Sequence, residues 1–313
     1  MKFELNTPSL IDEAKKSRHI IKTDNKILSL ILETIGFVII FYITQYLYAF
    51  IGELGAIAAY SAAFGGVNSI DEVTAWNLHI PIVLMSELFL TLGTIWCVRI
   101  WQKRKANTLG FVKKHLFRDY AIGLVVGFVM FSVAVGICAI TGALSLKPSA
   151  SFNIGLFIAY CFGWFFQGMG EEVLCRGYYL TSIARKNNIY VAVIINSIAF
   201  SVLHIGNSGI DILPLINLTL FGICASVFFL KTGNIWLVSA MHSIWNMVQG
   251  NVYGIAVSGE FTGPTIFTST IKDSLSIING GDFGLEGGLA VTIVLIITIA
   301  VGLIIPSCEK KAA

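Results

Sequence analysis

Long apolar stretches separated by short polar segments dominate this chain. A membrane-spanning helix needs about 20 mostly apolar residues, and eight stretches come close to that length. They lie at about 28–50, 80–101, 120–142, 153–180, 190–207, 212–230, 234–252 and 288–306. Apolar runs of this kind are typical of helices in a bilayer. The pattern therefore predicts an all-α, polytopic membrane protein with about eight transmembrane helices.

The composition agrees with this fold class. Hydrophobic residues make up 56% of the 313 residues and charged residues 12%, whereas soluble proteins have about 25% charged residues. A soluble protein of this size has no core large enough for so much apolar surface. The net charge of +3 is too small to indicate a nucleic-acid partner. A soluble enzyme, a disordered chain and a nucleic-acid-binding module are thereby excluded.

Lysine and arginine residues gather in alternate loops. Segments 51–79 and 253–287 are acidic and contain one lysine between them, Lys272. Basic loops stay in the cytoplasm, so we predict a multi-pass protein of the cell membrane with both termini cytoplasmic. The basic residues that set this orientation are Lys15, Lys16, Arg18, Lys22, Lys26, Lys103, Arg104, Lys105, Lys113, Lys114, Arg118, Arg185, Lys186, Lys231, Lys310 and Lys311.

Ionisable side chains inside apolar spans are costly in a bilayer, so each one needs a physical reason. Residues 150–252 concentrate such side chains in three short patterns. Two further acids in apolar spans, Glu33 and Glu87, belong to no pattern, and we assign them to interhelical bonding or contact with water. The candidate site residues of the three patterns are Glu171, Glu172, Arg176, His204, His242 and Asn246.

Helical spacing separates the roles of the two adjacent acids. Glu172 and Arg176 are four residues apart, so they share a helix face and can pair. Glu171 is rotated by about 100° from Glu172 and faces another neighbour. A buried carboxylate paired with arginine stays ionised, whereas one without a cation is the better base near neutral pH. Glu171 is therefore the candidate for proton transfer, and Glu172 is the structural partner.

The histidines can lie at the same depth as the acids. If the chain turns near Asn188, Glu171 lies 17 residues before the turn and His204 lies 16 residues after it, about 25 Å away in both cases. His242 and Asn246 share a helix face by their four-residue spacing. A glutamate and a histidine can activate water, and a second histidine with an asparagine can donate hydrogen bonds to an oxyanion.

A divalent metal is the alternative chemistry for the same residues. Two histidines with one or two glutamates suit zinc, and the ligands would be Glu171, His204 and His242. The single-helix zinc pattern His-Glu-x-x-His is missing from the sequence. We leave the cofactor open and favour a site without tightly bound zinc.

The three patterns together resemble those of the CPBP family (CAAX proteases and bacteriocin-processing proteins, also called Abi). These are intramembrane endopeptidases related to the type II CAAX prenyl endopeptidase. The family pattern is EExxxR, FxxxH and HxxxN/B on successive core helices. The chain has Glu171-Glu172-xxx-Arg176, then Phe200-xxx-His204, then His242-xxx-Asn246. The resemblance covers about residues 153–252.

The resemblance implies an intramembrane protease acting on a membrane-associated peptide or protein. It implies that Glu171 and His204 activate water and that His242 and Asn246 stabilise the oxyanion. Glu172 and Arg176 then support the site. Roles of bacterial family members include maturation of peptide signals, bacteriocin processing, self-immunity and resistance to cell-wall hydrolases.

Spans, loops and resemblance together suggest an organisation of the chain into five parts. The N-terminal helices are expected to select the substrate or partner, because the motifs lie beyond them. The parts are a cytoplasmic tail at 1–27, N-terminal transmembrane helices at 28–150, a catalytic core at 151–252, an extracytoplasmic loop at 253–287, and a last helix with a cytoplasmic tail at 288–313.

Two other classes of function fit the same spans. A non-catalytic scaffold of the same fold could act in bacteriocin immunity or cell-wall-hydrolase resistance by binding a partner in the bilayer. Such a scaffold would keep its phenotype without Glu171. A secondary transporter could use the acids for proton coupling, but the sequence shows no internal repeat.

Overall fold

The computed structural model describes residue 5 and residues 7–17, 23–261 and 263–306. Parts of both predicted cytoplasmic tails, with Arg18, Lys22, Lys310 and Lys311, lie outside these ranges. The described chain is mostly helical. Five helices precede the first long loop: α1 (Ser9–Lys15), α2 (Lys26–Phe64), α3 (Ile70–Thr74), α4 (His79–Ser86) and α5 (Leu88–Trp101).

A short 3₁₀ turn (Ala106–Leu109) leads to the remaining helices. The helix that carries the two adjacent acids continues into a π-helical segment, Val173–Leu180, and a second π-helical turn, Val248–Val252, follows α11. The helices are α6 (Leu116–Ile140), α7 (Ile154–Glu172), α8 (Thr181–Ala184), α9 (Ile189–Val202), α10 (Ile212–Thr232), α11 (Ile235–Met247), α12 (Ser276–Asn279) and α13 (Leu289–Ile304).

Each of the eight predicted spans coincides with helix, but the helices differ in length. Within the described ranges, four are long and apolar enough to cross a membrane: Lys26–Phe64, His79–Trp101, Leu116–Ile140 and Ile212–Thr232. The apolar helices α9 and α13 are shorter. The first span continues as helix through 51–64, and the second is interrupted at Glu87, between α4 and α5. The structure supports a polytopic helical protein, and the number of eight spans stays a prediction.

The chain is not purely helical, because a small antiparallel sheet joins two loops. Strand β1 (Leu144–Pro148) pairs with β2 (Phe267–Ile271), with Leu144 opposite Ile271 and Pro148 opposite Phe267. Strand β2 reads Phe-Thr-Ser-Thr-Ile, and β-branched and aromatic residues favour an extended backbone. This pairing holds the 253–287 loop against the end of α6.

Helix α11 lies between α6 and α7 and contacts both. Small residues allow the close approach of α6, since Gly123 and Gly127 sit directly against the Leu237 and Met241 carbonyl oxygens. Gly168 of α7 meets α11 in the same way at Ser243. Helices in a bilayer associate by such close packing at small residues. The contacts bring the helices that carry the first and third motifs together.

The two ends of the helical bundle differ in charge. At the basic end, Lys186 Nζ donates to the Thr23 carbonyl oxygen at 2.9 Å, and Ile235 N donates to Gly110 O at 2.9 Å. These bonds join the N-terminal segment and the loops rich in lysine and arginine. The opposite, acidic end comprises segments 51–79, 144–153, 203–211 and 253–288. It contains eight Asp and Glu residues against Lys147 and Lys272.

Candidate active site

The first motif spans the junction between α7 and the π-helical segment. Arg176 Nη1 donates to Glu172 Oε1 at 2.7 Å, as the four-residue spacing predicts, and both side chains are fully buried. The guanidinium also lies 4.7 Å from the centre of the Phe200 ring, a cation–π contact. Phe200 therefore covers the cation that neutralises Glu172.

Glu172 connects this ion pair to the third motif. Nδ1 of His242 lies 3.0 Å from Glu172 Oε1. An ionised Glu172 accepts from this nitrogen, which therefore carries a proton. Nε2 of the same ring lies 3.8 Å from Glu171 Oε2. The imidazole of His242 therefore lies between the two adjacent carboxylates.

Glu171 contacts a residue that sequence reasoning missed. Gln167 Nε2 donates to Glu171 Oε1 at 2.7 Å, and Gln167 Oε1 accepts from Asn246 Nδ2 at 2.9 Å. A single amide therefore joins the candidate base to the candidate oxyanion donor. The signal was the position of Gln167 one turn before Glu171 on the same helix face. Glu171 Oε2 has no hydrogen-bond partner within the described ranges.

His204 lies in a turn just beyond α9. The predicted span at 190–207 is too long, because α9 ends at Val202. Nδ1 of His204 lies 2.9 Å from the Phe200 carbonyl oxygen. This contact leaves Nε2 as the ring nitrogen available for chemistry.

One cavity of about 410 Å³ brings the predicted residues together. Glu171, His204, His242 and Asn246 all line it. A second cavity of about 170 Å³ lies beside Glu171 and His204. Glu172 and Arg176 line neither cavity within the described part of the chain, so they act on the site through His242 and Phe200.

Segments outside the predicted core also build the larger cavity. Tyr48 of α2 and Glu87 come from the N-terminal helices. Ser258, Glu260 and Phe261 come from the 253–287 loop. The cavity therefore lies towards the acidic end of the bundle.

Glu286 holds this loop in place, and the sequence did not single it out. Its Oε1 accepts from Trp245 Nε1 at 2.9 Å. Its Oε2 accepts from the Ser258 backbone N at 2.9 Å and the Ser258 hydroxyl at 2.8 Å. Trp245 precedes Asn246, so the carboxylate ties the loop to the helix of the third motif.

A metal was the alternative chemistry for three of these residues. Among the residues that the structure describes, no group of three or more His, Cys, Asp or Glu side chains is placed to hold a metal ion. The zinc ligands suggested from the sequence, Glu171, His204 and His242, do not form such a group.

Comparison with known families supports the resemblance. Residues 150–248 match the family model described as type II CAAX prenyl endopeptidase Rce1-like. This segment contains all three motifs and comprises 99 of the 313 residues. The match confirms the resemblance to CAAX proteases for this part of the chain and supports hydrolase activity in general. No curated protein matches the chain.

Proposed function

We propose that the protein is an intramembrane endopeptidase that hydrolyses a peptide bond of a membrane-associated peptide or protein. The observation that carries this proposal is the shared cavity. Glu171 of α7, His204 beyond α9, and His242 and Asn246 of α11 all line it. Proton acceptors and hydrogen-bond donors from three separate segments thus face one space large enough for a peptide segment.

The proposed first step is the attack of water on the scissile carbonyl carbon. Glu171, helped by His204, takes a proton from the water as the carbon–oxygen bond forms. The free Oε2 atom of Glu171 supports this role, because it has no hydrogen bond to give up within the described structure. The hydrogen bond from Gln167 Nε2 to Oε1 keeps the carboxylate oriented.

The negative charge then develops on the carbonyl oxygen. Asn246 has one amide hydrogen on Gln167, which leaves its second hydrogen for the oxyanion. His242 donates from Nε2 only when the ring is doubly protonated, since Nδ1 faces Glu172. The carboxylates of Glu171 and Glu172 flank the ring on its two nitrogen sides.

Collapse of the tetrahedral intermediate completes the reaction. The carbon–nitrogen bond breaks, and the proton taken from water is returned to the leaving nitrogen by Glu171 or His204. The products are an amine and a carboxylic acid, which releases its remaining proton to water. Glu172 and Arg176 hold His242 in position throughout.

Comparative peptidomics tests this function. We expect membranes with Glu171→Gln or His204→Ala to accumulate the uncleaved substrate and lose its product, with the protein still present in the membrane. The matched control is Asp273→Asn, an exposed acid outside the cavity. A normal product profile with Glu171→Gln contradicts the proposal. A phenotype that persists without cleavage favours the immunity or resistance scaffold.

We also propose eight spans in the cell membrane with both termini cytoplasmic. The charge difference between the two ends supports this orientation, because the loops rich in lysine and arginine gather at one end. The cavity then faces the outer half of the bilayer. Labelling of single cysteines at Ser276 and Lys113 tests it. We expect a membrane-impermeant thiol reagent to reach Ser276→Cys, but not Lys113→Cys, in intact cells.

A further inference from the structure

Glu87 is a buried carboxylate that the proposed mechanism does not use. It lies in the break between α4 and α5 and is only 6% exposed. It lines both cavities together with Glu171. No hydrogen bond or ion pair to its carboxylate is found within the part of the chain that the structure describes. The sequence suggested interhelical bonding or contact with water for Glu87, and among the described residues no side chain of another helix bonds to its carboxylate.

Glu87 lies beside the residues that act on the peptide bond. A Cβ atom on Gly170 would come 3.1 Å from the Glu87 carbonyl oxygen. The helix break at Glu87 therefore packs against the residue that precedes Glu171. A substrate group that reaches Glu87 lies close to the scissile bond.

The charges around the larger cavity are uneven. The acids Glu87, Glu171, Glu260 and Glu286 line it, whereas no lysine or arginine does among the described residues. The partners of Glu286 are the neutral groups of Trp245 and Ser258. A cleft lined by one sign of charge attracts and concentrates ligands of the opposite sign. The surrounding acidic end extends this negative field.

An ionised carboxylate that is buried needs a cation or hydrogen bonds to offset the loss of its hydration. A cationic side chain from a bound substrate supplies the positive charge and the hydrogen-bond donors. The apolar walls formed by Leu84, Trp164 and Phe221 suit its aliphatic stem. A lysine or arginine therefore fits this cavity better than a neutral residue of equal length.

We propose that Glu87 binds the side chain of a lysine or arginine that lies within about three residues of the scissile bond. This inference rests on the proposed endopeptidase function and names its substrate class. Glu260, at the exposed rim of the cavity, attracts the same basic segment as it approaches.

Paired peptides test this specificity in the full-length protein in detergent micelles. Each quenched fluorescent peptide has an apolar segment and an acetylated N-terminus, and carries either one lysine or the neutral isostere norleucine at a scanned position. We expect the wild type to prefer the lysine peptide at one position by about tenfold or more in kcat/KM, as for hydrogen bonds to charged groups.

Variants at position 87 test whether Glu87 causes the preference for the lysine peptide. Glu87→Gln removes the charge with little change in shape, and we expect the lysine-to-norleucine ratio to fall close to one. Glu87→Asp keeps the charge, and we expect it to restore part of the ratio. Asp71→Asn, at the same end but outside the cavity, is the matched control and should keep the wild-type ratio.

Two results would overturn the proposal: a wild type that cleaves both peptides equally well at every position, or an unchanged ratio in Glu87→Gln. If the wild type cleaves neither peptide, the endopeptidase function itself is contradicted. In that case, fluorescence anisotropy measures the binding of the same peptides and tests the role of Glu87 separately from cleavage. Tighter binding of the lysine peptide that is lost in Glu87→Gln supports it, and equal binding of both peptides refutes it.

Discussion

Replacing Arg176 by methionine removes the cation from the centre of the candidate site. The side chain is fully buried, donates to Glu172 at 2.7 Å and covers the Phe200 ring at 4.7 Å. Methionine has a similar length and is apolar. The substitution therefore leaves Glu172 as a buried carboxylate whose remaining hydrogen-bond partner is His242.

The size of the effect follows from the geometry. Charge centres about 4 Å apart at an effective dielectric constant of about 20 attract each other by about 4 kcal/mol. Removal of one partner of a buried ion pair destabilises proteins by about 3–5 kcal/mol. We expect Arg176→Met to lower the free energy of unfolding by this amount. Arg99 is exposed and provides the control. Arg99→Met should change the free energy of unfolding by less than about 0.5 kcal/mol.

A double variant separates stability from activity. In Arg176→Met combined with Glu172→Gln, the unpaired charge is gone, so much of the lost stability should return. Activity should not return, because the neutral amide orients His242 less strongly than the carboxylate. Unfolding in mixed micelles with increasing SDS measures the stability, and peptide cleavage measures the activity. If Arg176→Met is as stable as the wild type, or if the double variant is no more stable than the single one, the ion pair does not stabilise the protein in this way.

Three further substitutions test the surroundings of the site. Gln167→Leu breaks the bridge between Glu171 and Asn246, so kcat should fall about 10- to 100-fold with little change in KM. An unchanged kcat, or a change confined to KM, would contradict a positioning role. Glu286→Gln weakens the hydrogen bonds that hold the 253–287 loop. Limited proteolysis should therefore cut this loop faster than in the wild type. An unchanged rate of cleavage would contradict the anchoring role of Glu286. Gly127→Leu forces α6 away from α11 at Met241, so the midpoint of thermal unfolding in detergent should fall. The control Gly136→Leu has open space around its Cβ position and should leave that midpoint unchanged. Equal shifts in the two variants would contradict the role of close helix packing.

Local features of the site could be predicted from the sequence because they depend on the repeat of one helix. Glu172 and Arg176 share a face by their spacing, and the structure places them 2.7 Å apart. The apolar segments likewise coincide with helices. The exact ends of the helices could not be predicted in the same way, since α9 stops at Val202, before His204. A turn and a helix end can both occur in an apolar run, and hydropathy does not distinguish them.

The residue types alone determined the class of protein, the candidate motifs and the pairing within the first motif, since composition and helical spacing are properties of the linear chain. Helix packing, by contrast, places Gln167 between Glu171 and Asn246, lets Glu286 tie its own loop to Trp245 beside the site, and brings Glu87 into the same cavity. These residues are far apart in sequence or carry no distinctive spacing. Their meeting depends on how the helices pack, which is set by contacts such as those of the small residues in α6 and α7.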